Sequence, residues 1–547
     1  MKIALAQINT TVGAFDDNVA RIVEFANKAL SMRAELVIFP ELCVCSYPPM
    51  DFLDRPDFVD RNLAALRRLQ RELPLELGVV VGHVDKTQGS TGKTLQNSAS
   101  LIYQGKIQFT QAKTLLPTYD VFDEARYFEP AQTHEVFEFK GKQIGIAICE
   151  DMWWEIEPSP GARYPIDPIE RLLDKGAQIL VVPSASPFHE GKVRIRHDLM
   201  RRIGESSGVC VYYSNQVGGN DTLVFDGNSM FTDRRGRLMA QAKGFEEDLV
   251  VVDSETETTA IRARIDRQDD LVSAMKLGLK DYLRKTGFEK VHLGLSGGID
   301  SAIVAVIAAQ VLGPEKVKCF LLPSQYSSKG SVDDSIELCK INKLSWETIH
   351  IEESYLAIES ALSKVFAGTE AGIAEENIQA RIRGTLLMSY SNKFNSMLLT
   401  TGNKSELSVG YCTLYGDMSG GFGIIGDLFK TEVYELSRWL NRTNVVIPWA
   451  IIDKAPSAEL RPNQTDQDSL PPYEVLDAIL EAFIEGQRSP AEIMAMGYES
   501  ALVHRVLRLV AVAEYKRWQA APVLKLSPKS FGPGRRIPIA RAFYELS

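Results

Sequence analysis

The sequence predicts an α/β protein of two domains. Three observations carry this. The chain has 547 residues, far more than one hydrophobic core supports. Apolar strand-like runs alternate with helical patterns in both halves. Between the halves lies a polar, charged break, SETETTAIRARIDRQDD, without apolar periodicity. We therefore expect domains over 1–253 and 271–547, joined by a linker over 254–270.

In the first half, KIALAQI (2–8), ELVIFPE (35–41), LGVVVGHV (77–84), QIGIAIC (143–149), AQILVVPSAS (177–186), VCVYYSNQ (209–216) and EDLVVVD (247–253) read as buried strands. Helical patterns fall at 17–32, 57–72 and 190–207. NSASLIYQGKIQF and NSMFTDRRGRLMAQ read as hairpins turning at Gln104-Gly105 and Arg235-Gly236. The second half restarts with a helix at 271–286. It continues as strand 290–295, helix 300–312, strand 316–322, helix 331–341, strand 346–351, helix 354–366, helix 377–393 and strand 396–401. That order is the signature of a doubly wound parallel sheet. From about 453 the chain is Pro-rich, then helical, then basic.

A net charge of −10 argues against a nucleic-acid-coating role. MKIALAQI is a strand-like alternation rather than a secretory start. The most apolar helix, 301–314, is too short to span a bilayer. The seven cysteines have no zinc or C-x-x-C spacing. Reduced thiols in a cytoplasm fit best.

Three ionisable groups follow strands in the first half: Glu41 after IFP, Lys113 after the first hairpin, and Cys149 at the end of the fourth strand. A cysteine nucleophile needs a base, and acyl transfer needs a group to hold the oxyanion. FPEL, K-TLLP-YDVFDE-RYF and ICED-WW together resemble the nitrilase (carbon–nitrogen hydrolase) superfamily over about 1–253. The resemblance implies an αββα sandwich. In it Glu41 takes the thiol proton, Cys149 attacks an amide carbonyl to form a thioester, and Lys113 stabilises the oxyanion. Glu124 stands where the superfamily often carries a further acid. The glutamine-using members imply Tyr119, Ser186 and Lys192 as substrate contacts. Cys43 and Cys45 are expected to be packing residues, and Trp153-Trp154 core or pocket wall.

In the second half, VHLGLSGGIDSAIV (291–304) runs from a strand through a Gly-rich turn into a helix. Free N–H groups and the positive end of the helix suit phosphate. Gly297 and Gly298 permit close backbone approach, and Ser296 and Ser301 add hydroxyl donors. Asp300 beside phosphates calls for an intervening cation, Mg²⁺. The Lys of a Walker loop is missing. SGGIDS resembles the loop of the ATP pyrophosphatases. LLPSQYSS, EENIQARIRGTLLMSYSN and LLTTGNKSELSVGYCTLYGDMSGGFGIIGDLFKTEVY resemble the NAD⁺ synthetases over about 270–547.

The whole chain thus resembles the glutamine-dependent NAD⁺ synthetases. The resemblance implies ATP contacts at Gly294, Leu295, Ser296, Gly297, Gly298, Ile299, Asp300, Ser301 and Thr401. It implies deamido-NAD⁺ contacts at Asn377, Glu406 and Lys516, phosphate neutralisation by Arg383 and Lys430, and Mg²⁺ held by Asp300 and Glu406. The implied reaction hydrolyses glutamine at Cys149, adenylates the nicotinate carboxylate of deamido-NAD⁺ with loss of pyrophosphate, and displaces AMP with the ammonia. An internal ammonia passage and a homo-oligomer are expected, with small-molecule substrates and neither nucleic acid nor membrane as partner. A GMP- or asparagine-synthetase-like activity stands as one alternative, although glutaminases of those kinds lack the Glu41/Lys113/Cys149 set. A nucleotide-binding regulator built on a retired enzyme stands as another.

Overall fold

The computed structural model describes residues 1–87, 89, 91–155, 163–253 and 266–544. Most of the expected linker, 254–265, lies outside them. The chain divides into two units, Met1–Asp270 and Leu271–Ser547. Leu271–Ser547 is a βα unit; Met1–Asp270 is built on two mixed six-stranded sheets.

The first sheet runs in the order Asp248–Asp253, Lys2–Gln7, Leu36–Ile38, Gly78–Lys86, Leu95–Tyr103, Lys106–Ala112. The second runs Leu238–Gln241, Met230–Thr232, Cys210–Asn215, Ile179–Ser184, Lys142–Ile146, Val136–Phe139. Alternate side chains of a strand face opposite sides, and here both sides are buried. One core joins Ile3, Leu5, Ile38, Val80 and Leu101 of the first sheet to Ile144, Ile146, Val181 and Tyr212 of the second. Ala4, Ala6, Val37 and Val79 point the other way, against the helices Phe15–Ser31 and Pro56–Glu72. On the far face, Leu180, Val182 and Val211 pack against Pro168–Asp174 and Lys192–Ser207. The result is an αββα sandwich. The hairpin turn at Gln104-Gly105 has positive φ at both residues, 52° and 72°, as a tight two-residue turn requires.

One expectation is corrected here. Cys149 does not end a strand. The strand stops at Ile146, and Cys149 opens a one-turn 3₁₀ helix, Cys149–Met152. The cause is Asp151, whose carboxylate accepts the Ile148 N–H at 2.9 Å and bends the chain out of the sheet.

The second unit has a parallel five-stranded sheet in the order Ser345–Thr348, Val317–Leu321, Val291–Leu295, Met397–Thr400, Phe422–Gly423. Chain order reverses between Val291–Leu295 and Met397–Thr400, and open α/β sheets bind ligands beyond the carboxyl ends of the strands at such a point. The helix Ile299–Leu312 starts there, and Ile299 and Ser301–Ala308 are buried. The first helix of this half begins at Arg267, not 271. Asp266 Oδ1 accepts the N–H groups of Gln268 and Asp269, and the acids of RQDD complement the helix N-terminus. A second small core, from Tyr473–Leu480, Pro490–Ala495 and Ser500–Val512, supports the helix Lys404–Val409. Among the described residues no helix is long and apolar enough to cross a membrane.

Candidate active sites

The first candidate site lies where the two sheets of the sandwich meet. Glu41 follows Leu36–Ile38 and is wholly buried. Its segment rests directly on the neighbouring strand: a Cβ on Gly82 would lie 2.3 Å from Leu42 N and 2.6 Å from Pro40 O. Only glycine fits there. Lys113 leaves the strand Lys106–Ala112 and is 1% exposed. Its Nζ donates to Glu41 Oε1 at 2.7 Å and to Glu124 Oε1 at 2.8 Å. One ammonium thus bridges two buried carboxylates, which is what makes such burial tolerable. Burial disfavours the Lys113 charge, but Glu124 and Glu41 outweigh it and raise its pKa well above the ordinary value.

The acids are fixed in turn. Asn97 Nδ2 donates to Glu41 Oε1 at 2.7 Å and to Glu124 Oε2 at 3.4 Å. Ala185 N–H donates to Glu41 Oε2 at 3.0 Å, and Tyr47 OH to Glu124 Oε1 at 2.9 Å. Cys149 sits at φ 46°, a left-handed conformation costly for a residue with a Cβ. Asp151 pins it: besides Ile148 N–H, its carboxylate accepts Thr114 N–H at 3.0 Å and Leu115 N–H at 2.8 Å. One side chain therefore ties the Cys149 turn to the Lys113 segment. Burial and the Glu41 charge push the Cys149 thiol well up, against the pull of Lys113. A thiol raised in this way favours its protonated form, and any nucleophilic use of it calls for a base.

Beside Cys149, Glu150 is buried and takes hydrogen bonds from Tyr119 OH at 3.0 and 3.2 Å and from Tyr164 OH at 2.8 Å. Burial raises its pKa, opposed by Lys113, the two tyrosines and Lys192. Lys192 Nζ stands 3.9 Å from the Trp153 ring centroid, a cation–π contact. Ser186 is held by Asn215 Oδ1, 2.9 Å from its N–H, and by Arg196 Nε, 3.1 Å from its Oγ. Arg196 is itself fully buried against Asp226. The structure thus brings Tyr119, Ser186 and Lys192 to the surroundings of the Glu41, Lys113 and Cys149 set. Sequence reasoning missed Glu150, Asn97 and Asp151 as parts of it. The adjacency of Glu150 and Asp151 to Cys149 was the available signal. Asn97 gave none, because its partners lie 56 and 27 residues away. Cys43 and Cys45 are buried, with thiols pushed up to about 12 and further by desolvation, as packing residues should be.

The second candidate site is a cleft of about 670 Å³ at the switch point of the parallel sheet. All of 294–301 line it, as do Thr401, Asn377, Arg383, Glu406, Lys430 and Lys516. The loop is self-braced: Ser296 Oγ accepts Gly298 N–H at 3.2 Å, and Ser301 Oγ donates to Gly298 O at 3.1 Å. Gly297 has φ 76°, and a Cβ there would lie 2.4 Å from Ser331 O. Both facts require glycine. Asn403 caps the helix Lys404–Val409 through Glu406 N–H and also donates to Asp300 Oδ1 at 3.0 Å. Asn377 Oδ1 accepts Thr413 Oγ1–H at 2.7 Å, and Lys516 Nζ donates to Gly410 O and Cys412 O, both at 2.7 Å. Burial pulls Arg383 down to about 10, and its Nε donates to Leu322 O at 2.9 Å.

Lys430, expected to neutralise phosphate, lines the cleft but is already paired with acids. It is 3% exposed and ion-paired with Asp300 and, at 3.5 Å, with Glu406. Burial alone would lower its pKa, but Asp300 and Glu406 raise it instead. Burial and Asp300 also push Glu406 upward despite Lys430. Two carboxylates from different elements thus converge on one cation position. This donor set fits Mg²⁺, a hard ion that takes one or two carboxylates and completes its shell with phosphate oxygens and water. Among the described residues no group of three or more His, Cys, Asp or Glu forms a metal cage, so the other ligands would come from the nucleotide.

An αββα unit with a buried Glu–Lys–Cys set, followed by a parallel-sheet unit with a phosphate loop, defines a carbon–nitrogen hydrolase joined to an NAD synthase. Residues 2–263 match the carbon–nitrogen hydrolase family and 271–520 the NAD synthase family. The chain belongs to the glutamine-dependent NAD(+) synthetases. It is 45% identical over 555 residues to the glutamine-dependent NAD(+) synthetase of Synechocystis sp., covering 99% of both chains. It is 39% identical over 585 residues to that of Thermotoga maritima, covering 100% of this chain and 99% of the relative. A solved glutamine-dependent NAD⁺ synthetase from Acinetobacter baumannii, in complex with ADP, superposes with a TM-score of 0.78 at 36% identity, covering 100% and 99% of the two chains. One from Cytophaga hutchinsonii, 21% identical, shares the fold with a TM-score of 0.85, covering 100% and 99%.

Proposed function

We propose that this enzyme hydrolyses glutamine at Cys149 and uses the ammonia to amidate deamido-NAD⁺ at the expense of ATP. The observation that carries the reading is the Lys113 ammonium held between Glu41 and Glu124 beside a neutral, buried Cys149. Glu41 takes the thiol proton, and the thiolate attacks the glutamine amide carbon. Lys113 offers a positive charge to the oxyanion, which in a dry site is worth several kcal/mol, roughly 2.7–4 for a single donor. Glu41 returns the proton to the departing ammonia, and water then cleaves the thioester.

The substrate's zwitterion defines the rest of this pocket. Glu150 receives the α-ammonium, with Tyr119 and Tyr164 holding its oxygens, and Lys192 meets the α-carboxylate. Ser186 hydrogen-bonds the substrate. Glu150→Gln keeps the shape and removes the charge. We expect it to raise KM for glutamine by about tenfold or more, the worth of one charge-assisted hydrogen bond, and to leave ammonium-driven synthesis unchanged. Steady-state kinetics with each nitrogen donor reads this.

Glu124 sets a pH limb. Burial, reinforced by Glu41 and opposed by Lys113, raises its pKa above the ordinary carboxylate range. It therefore holds its proton to higher pH than an exposed glutamate and ionises as pH rises through that raised value. Only then is the Lys113 pair complete. Glutaminase activity should rise with pH along an acid limb lying above the ordinary carboxylate range. Glu124→Gln should abolish that limb and lower kcat by about tenfold or more. A pH–rate profile of glutamate release checks both.

In the second unit, the 294–301 loop and Thr401 bind ATP, and Asn377, Glu406 and Lys516 bind deamido-NAD⁺. Arg383 faces phosphate. Asp300 and Glu406 would hold Mg²⁺ with the ATP phosphates. Bound there, it would offset the negative charge that builds as carboxylate meets phosphate. Lys430 holds the two acids apart from free solvent and orients them. The nicotinate carboxylate attacks the α-phosphate, pyrophosphate leaves, and ammonia then displaces AMP. Reduced thiols, −10 net charge and the small-molecule substrates fit a cytoplasmic enzyme, and we assign it a homo-oligomeric state. The whole reading is tested by NAD⁺ formation from deamido-NAD⁺ and Mg-ATP. Product with glutamine or ammonium supports it; no product with either removes it.

A further inference from the structure

Asn97 touches both acids and the lysine of the buried cluster in the first unit. It is 1% exposed and stands on the strand Leu95–Tyr103. Its main-chain oxygen accepts Lys113 N–H at 2.7 Å. Its side-chain Nδ2 donates to Glu41 Oε1 at 2.7 Å and, less closely, to Glu124 Oε2 at 3.4 Å. Its Oδ1 is buried and has no hydrogen-bond partner among the described residues. Native proteins retain few such orphaned acceptors, because each is costly. Turning the amide over would set that oxygen against two carboxylates, which is worse. The side chain is therefore kept for its donor end alone.

That donor makes the two acids unequal. Both share the Lys113 ammonium. Glu41 takes two further close donors, Asn97 Nδ2 on Oε1 and Ala185 N–H on Oε2. Glu124 takes one, the Tyr47 hydroxyl, beside the long contact with Asn97. Hydrogen bonds to a carboxylate favour its charged form. Three close donors against two therefore set Glu41 apart from Glu124, and without Asn97 the two would stand level. The difference matters because two carboxylates against one ammonium leave an excess negative charge in a buried space, which favours uptake of one proton. Burial and the Glu41 charge raise Glu124, against Lys113 and Tyr47. Tyr47 and Cys149 face the same cluster, are raised well above their ordinary ranges and keep their protons. Lys113 is raised as well and keeps its charge.

We propose that Asn97 is a positioning residue that tells the two carboxylates apart: it steers the proton held by the pair to Glu124 and leaves Glu41 free to take the proton of Cys149. This deepens the reading above and rests on it. Like acids around one ammonium would otherwise divide the proton between them. Every molecule carrying it on Glu41 would lack a base. Unequal surroundings that drive two titratable groups apart are how one site assigns acid and base roles. Without Asn97 each acid keeps two close donors, and the assignment is lost. The pair then also holds its proton to higher pH, because one donor that favoured the charged form is gone.

The test is the pH–rate profile of glutamate release by the full-length enzyme. Asn97→Leu has nearly the same shape, carries no donor and leaves the main-chain bond to Lys113 in place. We expect its acid limb to lie about one pH unit above that of the wild type, the worth of one hydrogen bond to a charged group. At a fixed pH on the limb this reads as a loss of about tenfold, while the plateau at higher pH falls far less. Adding Asn97→Leu to Glu124→Gln should bring back no limb, since the proton has no second carboxylate to be steered to. Glu150 and Asp151 also hold raised carboxyls nearby, but neither bonds Asn97, and the Glu124→Gln background separates their effects. An unmoved limb in Asn97→Leu would overturn the proposal, and a lowered plateau at that unmoved limb would make Asn97 a packing residue only. A limb that returns in the double variant would also overturn it, because the proton would then sit on Glu41 with nothing to share it. If Asn97→Leu does not fold, Asn97→Ala decides in its place. A wild type that releases no glutamate would instead remove the underlying reading.

Discussion

Cys149→Ala will slow glutamine-driven NAD⁺ formation by at least about a thousandfold while leaving ammonium-driven formation within about twofold of wild type. The size follows from the site. No second thiol can substitute, because Cys43 and Cys45 are buried and held protonated by desolvation. A water activated by Glu41 would attack an amide far more slowly than a thiolate does. The selectivity follows from the separation of tasks: Cys149 belongs to the Met1–Asp270 unit, and the cleft at the phosphate loop is lined wholly by Leu271–Ser547. The substitution should not unfold the protein. The left-handed φ of 46° at Cys149 costs an alanine as much as a cysteine, and Asp151 still pins the turn from the side. Side-by-side assays with the two nitrogen donors check the outcome. Loss of both activities would mean that the turn, rather than the thiol, was damaged. Retention of both would move the nucleophile elsewhere.

The same separation explains which parts of the site were legible in the sequence. Glu41, Lys113 and the SGGIDS loop stand just past strands, and a strand end in an α/β fold is where a side chain reaches the open edge of a sheet. That relation is local, so apolar runs reveal it. Cys149 was located but misplaced by a few residues, since the apolar pattern IGIAIC continues past the point where Asp151 turns the chain. The helix start at Arg267 was hidden for a similar reason. Its first turn is polar because it is capped by Asp266 and favoured by dipole charges, and polarity reads as linker. The rest was not legible because it depends on distant pairs. Asn97 matters through Glu41 and Glu124, and Glu150 through Tyr119 and Tyr164. The resemblance gave Lys430 as a phosphate contact, with no sign of acid partners. Only the fold shows it buried between Asp300 and Glu406.

That burial makes Asp300 the residue whose neutralisation should most affect the synthetase half. Asp300→Asn will lower pyrophosphate release from Mg-ATP and deamido-NAD⁺ by about a hundredfold to a thousandfold, the range found when a preorganised electrostatic group is removed. Two losses combine. The carboxylate proposed as a hard oxygen ligand beside the phosphates is gone. Lys430 also loses its nearest counter-charge and keeps Glu406, 3.5 Å away, so its orientation relaxes. Removing one partner of a buried pair costs about 3–5 kcal/mol, but Glu406 remains to share the ammonium, and the stability loss should fall below that. Extra Mg²⁺ should recover part of the rate if the ligand role dominates, and none if the Lys430 geometry dominates. The glutaminase half serves as the internal control. Glutamate release measured without ATP should be unaffected, because Glu41, Lys113 and Cys149 lie in the other unit. Pyrophosphate release at wild-type rate from Asp300→Asn would show that the charge at the helix start is structural and that the metal is held elsewhere.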